Sequence, residues 1–235
     1  MEPHSRRIFI TSTGTAASVV AGVSAFSSPL PTRAADRPNR SPAVPFLFDR
    51  AAFQAIVDRP SPHRQFAAPD TFGSATVAMS HFTNSLTAYA DPNGFAGGPD
   101  SLHCAAVLYS GRSYLMVLDD AMFAKYQVGR FVDEELRPND TTYRKYWTGL
   151  QHNPMADFLK PLTEAGVSFF VCNNSLSGFA YELAQKAAKG APVKQEAVIS
   201  IHSELAAHFI SSTMLVPAGV AAVNAVQEAR FTFLP

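Results

Sequence analysis

Ala165-Gly166-Val167-Ser168-Phe169-Phe170-Val171-Cys172-Asn173-Asn174-Ser175-Leu176-Ser177-Gly178 is the stretch on which the fold turns. Val167 to Val171 is a short β-branched and aromatic run behind a glycine, and from Ser177 onward Phe179, Leu183 and several alanines recur at helical spacing. The segment predicts a buried strand, a turn and a helix. Cys172 falls at the strand's carboxyl end, the edge of an open parallel sheet where ligands bind, and a helix amino terminus just beyond it attracts anions. A thiol so placed suits nucleophilic chemistry. The competing reading is a small buried hydrophobe, since free cysteine is among the most buried residue types.

The flanking sequence extends the alternation. Asn153 to Leu162 predicts a helix ending at Gly166 as its C′ glycine. Downstream, Thr213–Pro217 reads as a strand, Ala218–Ala229 as a helix and Phe231–Leu234 as a last strand. Upstream, Cys104–Tyr109 reads as a strand and Ala75–His81 as the first strand of the sheet, with Asn84 or Thr83 capping the helix that follows. Asp49–Val57 and Asp119–Tyr126 predict short capped helices. Arg112–Leu118 is open between helix and strand, and Glu196–His208 has no single reading. Residues 129–153, with Tyr143, Tyr146 and Trp147 among basic residues, form an aromatic-rich excursion that covers a core edge or stacks a planar ligand. Strands alternating with helical patterns predict an α/β domain: a doubly wound, mostly parallel, flavodoxin-like sheet with helices on both faces.

Composition bounds the rest. The 235 residues are 47% hydrophobic and 16% charged, enough for one sizeable core, and 19 basic residues balance 19 acidic ones with no basic stripe. Nucleic acid is not an expected partner. Ser5-Arg6-Arg7-Ile8-Phe9-Ile10, the weakly apolar Thr11–Phe26 and the small residues up to Ala34-Ala35 follow the order of a twin-arginine export signal. The expected organisation is a signal over 1–35, removed near Ala34-Ala35, a linker over 36–48 and a single domain over 49–235, located in the periplasm. The apolar part is too short and too polar to span a membrane. Removing residues 1–35 takes Arg6, Arg7, Arg33 and Glu2, leaving 16 basic and 18 acidic residues.

Cys104 begins one strand and Cys172 ends another, so no disulfide is expected between them. The histidines show no paired ligand motif, so no metal site is assigned, and no cofactor is named. There is no GxGxxG, phosphate loop or GxSxG element.

Three pieces in order, Gly166–Asn174, Leu215–Val220 and Gln227–Pro235, resemble the DsrE/DsrF-like family, and Tyr109-Ser110-Gly111 with Leu118–Tyr126 resemble its exported, signal-bearing branch. The likeness covers roughly residues 75 to 235. It implies a small α/β domain that assembles as homo-oligomers, with the cysteine at the end of the third strand accepting sulfane sulfur as a persulfide. Cys172 is the matching position. With the first and third strands adjacent, His81 and Asn84 would share the carboxyl edge with Cys172, Asn173 and Asn174, and Asp119 and Asp120 would reach in from the side. His81 would then serve as acid/base, and Asn84, Asn173, Asn174, Asp119 and Asp120 would bind ligand. Two functions follow as expectations: a periplasmic sulfur carrier or transferase working with a donor or acceptor protein, or a noncatalytic subunit that binds a small ligand or a partner.

Overall fold

A computed structural model describes residues 43–95, 97–98, 100–137 and 145–234. Five strands, β1 (His63–Ala67), β2 (Leu102–Leu108), β3 (Ser168–Cys172), β4 (Thr213–Val216) and β5 (Thr232–Phe233), build one sheet in the order β4-β3-β2-β1-β5. All four pairings are parallel. Every residue of β2 and β3 is buried, as expected for strands covered on both faces. Helices α1 (Arg50–Val57) and α8 (Gly219–Glu228) cover one face, where Phe53, Val57, Ala222 and Val226 meet Ala105, Val107 and Phe170. The other face carries α2 (Phe72–Ala90), a 3-10 turn over Ser113–Val117, α3 (Asp120–Lys125), α4 (Val128–Leu136), α5 (Ala156–Glu164), α6 (Asn173–Ala188) and α7 (Gln195–Ala207). Their apolar sides close over Cys104, Ala106, Leu108, Phe169 and Val171. This is the doubly wound α/β fold that the sequence predicts.

One expected strand is a helix. Residues 75–81 lie inside α2, because Ala75, Ala78, Met79 and Phe82 recur at helical spacing and are all buried. Thr71 and Ser74 form a reciprocal capping box at its start. Val77, part of the reason the run reads as β, points outward and is 54% exposed. The first strand is instead His63–Ala67, where three polar residues precede the buried Phe66 and Ala67. Since β2 lies between β1 and β3, the first and third strands are not neighbours.

Other boundaries shift less. Gly166 does end α5's turn in the left-handed region, at φ 79°, and Asp49 caps α1 by accepting from the Ala52 N–H. Helix α6 begins directly at Asn173, with no turn through Ser177 and Gly178. The expected signal over 1–35 and the early linker, to residue 42, lie outside the described residues, as do residues 138–144 of the excursion with Tyr143. The late linker packs on the domain: Val44 is buried in the core. The described part of the excursion is anchored by the buried Asp133, whose carboxylate accepts from the backbone N–H groups of Tyr146, Trp147 and Thr148 and from the Thr148 hydroxyl. Trp147 then meets Phe72 edge-on at 5.0 Å, covering the core edge. No helix among the described residues is long and apolar enough to cross a membrane.

Candidate functional site at the carboxyl edge

Strands β3 and β4 lie side by side with Cys172 level with Val216. Beyond Cys172 the chain enters α6 on one face, and beyond Val216 it enters α8 on the other. Connections that leave neighbouring strands for opposite faces open a crevice at their carboxyl ends, the usual ligand position in such sheets. Cys172 stands at that switch point, in the N-cap position of α6, and no side chain caps the helix there. Tyr109, just past β2, packs against the start of α8 there. A Cβ on Gly219, the first residue of α8, would come within 2.1 Å of the Tyr109 side chain, so only glycine fits. The Tyr109 carbonyl accepts a hydrogen bond from the Ser175 hydroxyl.

The crevice is covered. Val44 packs with the α6-side core, whereas Phe48 stacks on Phe53 of α1, on the opposite face, at 5.7 Å. Residues 44–48 therefore wrap round the carboxyl edge from one face to the other. Both main-chain groups of Val44 are held: its N–H donates to Ser177 Oγ at 2.9 Å, and its carbonyl accepts from Asn173 Nδ2 at 2.9 Å. With this strap in place, Cys172 is 5% exposed.

Behind the strap lies a buried polar chain. Asn173 spends its amide N–H on Val44, and its Oδ1 sits 2.8 Å from His202 Nε2. An amide oxygen only accepts, so His202 Nε2 donates. Burial holds the His202 pKa below the usual range, which keeps the ring neutral near pH 7. On the other side stands Tyr114, whose hydroxyl is pushed up to about 12, by burial first and against the opposing pull of Arg112, with a smaller contribution from the nearby Cys172. Arg112 pairs with Glu182 of α6 at 2.8 Å, and its guanidinium lies 5.3 Å from the ring centres of both Phe131 and Phe179. The site thus combines a thiol at a helix amino terminus, a neutral imidazole held by an amide, and a phenol held by a paired guanidinium.

The expected site residues divide. Cys172 and Asn173 are at the crevice, and Asn174 is exposed next to them in the first turn of α6. His81 and Asn84 are exposed in the middle of α2 and do not share the carboxyl edge, because the strand expected to carry His81 there is helix. Asp119 and Asp120 are occupied by the protein. Asp119 caps α3 through the Met122 N–H at 3.0 Å and pairs with His208 at 2.7 Å, while Asp120 accepts from the Asn153 N–H at 2.7 Å. Val44, Tyr114, Ser177 and His202 were invisible as site residues. No motif spacing connects them; Val44 and Ser177 meet where the strap lies on α6, His202 joins through Asn173, and Tyr114 stands near Cys172.

Cys104 is buried within β2, and its thiol is pushed up to about 12 by burial, which opposes reaction as a thiolate. Five residue positions separate it from Cys172 along the sheet, about 16 Å, and both cysteines are free. Among the described residues no group of three or more His, Cys, Asp or Glu could hold a metal ion.

No family model matches the chain, and no curated protein matches it. Among solved structures, it is similar to a protein of unknown function from Methanobacterium thermoautotrophicum, at 13% identity over 73% of this chain and 97% of that one, with a TM-score of 0.38. A likeness of that degree carries no argument about function.

Proposed function

We propose that this protein is an exported, DsrE-like carrier of sulfane sulfur that works through Cys172. The observation that carries the reading is the place of the thiol: the switch point of the sheet, at the N-cap of a sixteen-residue helix. In the proposed step the Cys172 thiolate attacks the outer sulfur of a persulfide donor, RSSH. The donor's S–S bond breaks as the new S–S bond to Cys172 forms, RS⁻ leaves, and no external oxidant is consumed. The donor reaches Cys172 once residues 44–48 lift from Asn173 and Ser177. The 5% exposure of Cys172 favours a second reading, a noncatalytic binding or assembly subunit, in which the thiol is a core residue.

The test is intact mass spectrometry under non-reducing conditions after incubation with polysulfide, followed by peptide mapping. The expected result is a single added sulfur on Cys172, removed by dithiothreitol, absent in Cys172→Ser, and gained at least about tenfold faster in Val44→Asp. Burying that carboxylate costs more than the ~1.4 kcal/mol that corresponds to tenfold opening of the strap. A folded Val44→Asp variant whose Cys172 reacts with iodoacetamide but gains no sulfur overturns the carrier reading. A thiol that resists iodoacetamide even in that variant overturns it in favour of the binding subunit.

A further inference from the structure

At the opposite edge of the sheet, where β5 pairs only from Gln65 on and leaves His63 and Arg64 of β1 without a partner on that side, the structure opens a pocket of about 680 Å³. That volume lies within the range of small-molecule sites. Gln65 lines it with other parts of the residue, since its side-chain oxygen is shut off from solvent and meets no donor among the described residues. One wall is aromatic: the His63 ring packs on Tyr89 with centroids 4.7 Å apart, and Tyr89 continues to Phe95 at 5.3 Å. At the mouth stands Arg230, exposed, with no side-chain partner among the described residues. Arg64 borders the pocket with its guanidinium fixed by backbone carbonyls, those of Ala229 at 2.7 Å and Arg59 at 3.2 Å, so its charge meets no carboxylate there. Among the described residues, no acidic residue lines the pocket. The unbalanced charge is felt behind it, where Arg59 and Arg64 add to burial in lowering the His103 pKa.

An aromatic wall and a free cation at the rim each select one feature of a ligand. The exposed ring of the wall accepts a flat ring by stacking, and Arg230 attracts an anion. We infer that this amino-edge pocket binds a small aromatic carboxylate at a site separate from Cys172. A ring lying against His63 or Tyr89, which are tilted 43° to one another, directs its carboxylate to Arg230.

Calorimetric titration of the full chain with 4-hydroxybenzoate tests the assignment, with acetate and benzyl alcohol as probes lacking the ring and the charge. Saturable binding with Kd below about 1 mM is expected, at least about tenfold weaker for either control probe and in Arg230→Gln, a change that touches no structural contact. His63→Ala, at an exposed ring, weakens it through the stacking wall. No saturable binding up to about 10 mM, or binding unchanged by Arg230→Gln, overturns the proposal. Cys172→Ser leaves binding unaltered if the site is where we place it. Loss of binding in that variant moves the probe to the carboxyl edge and sinks the amino-edge assignment.

Discussion

The two edges of the sheet each bury a histidine, and they treat it in opposite ways. At the carboxyl edge His202 is buried and donates to Asn173, which in turn holds the carbonyl of Val44. At the amino end of β2, His103 is 0% exposed, and neither of its ring nitrogens has a partner among the described residues. Its ring meets Phe231 edge-on, at 5.0 Å. A satisfied buried network fixes one arrangement of the groups it joins, whereas an unsatisfied one costs stability and marks a place where the fold serves something other than its own stability. The covered crevice and the open pocket follow that division. The first edge is closed by the chain itself, whereas at the second the unmet polar groups are sealed beside an open pocket that the exposed Arg230 borders.

The largest expected effect of this difference is in acid. Burial, with Arg59 and Arg64 adding to it, holds His103 at about 4 against an ordinary value of 6.5. Between those values the unfolded chain takes up a proton that the folded chain refuses. Stability is therefore fully present above pH 6.5 and falls as the pH drops towards 4. At about 1.4 kcal/mol per unit, the loss from this one residue approaches about 3 kcal/mol. His103→Leu removes it. Urea denaturation at pH 7 and pH 4.5 should show the variant gaining about 2–3 kcal/mol on the parent at the lower pH. His202 titrates in the same direction but is common to both proteins. An equal difference at the two pH values would mean that His103 is not held neutral by its surroundings.

Next in size is Asn173→Ala. It strips His202 Nε2 of its acceptor and the Val44 carbonyl of its donor in one step. Leaving buried polar groups without partners should cost about 2 kcal/mol in denaturant unfolding at pH 7. It also frees the strap, so Cys172 should react faster with iodoacetamide. A loss of stability with no change in thiol reactivity would separate the polar chain from the cover and leave the two edges less different than they look.

How much of this was legible in the sequence depends on where the determining contacts lie. The β3 stretch was readable because strand, thiol and helix start are consecutive, and the last strand and helix were readable for the same local reason. Residues 75–81 misled because Thr76, Val77 and Met79 mimic a strand, while the helical recurrence of Ala75, Ala78 and Phe82 is carried partly by alanines, which weakly signal burial. That error also moved His81 and Asn84 to the wrong place. Strand β1 hid behind the polar His63, Arg64 and Gln65, which face a pocket and a short edge strand rather than a continuous core. The strap was unreadable on principle. Val44 lies 133 residues from Ser177 and 129 from Asn173, and no periodicity spans such distances.

The smallest expected effect sharpens the comparison most. Gln65→Leu is a change at a buried polar atom, as Asn173→Ala is, yet the Gln65 oxygen has no donor to lose. Its desolvation is already a cost in the native protein, and replacing it with an apolar group of similar size removes that cost while leaving no neighbour unpaired. The stability change should stay within about 0.5 kcal/mol, or favour the variant. Thermal unfolding of the two variants side by side measures the contrast. A destabilisation comparable with that of Asn173→Ala would show instead that Gln65 Oε1 is satisfied in solution. The amino edge would then be as self-contained as the carboxyl edge, with its buried polar groups met as those of Asn173 are.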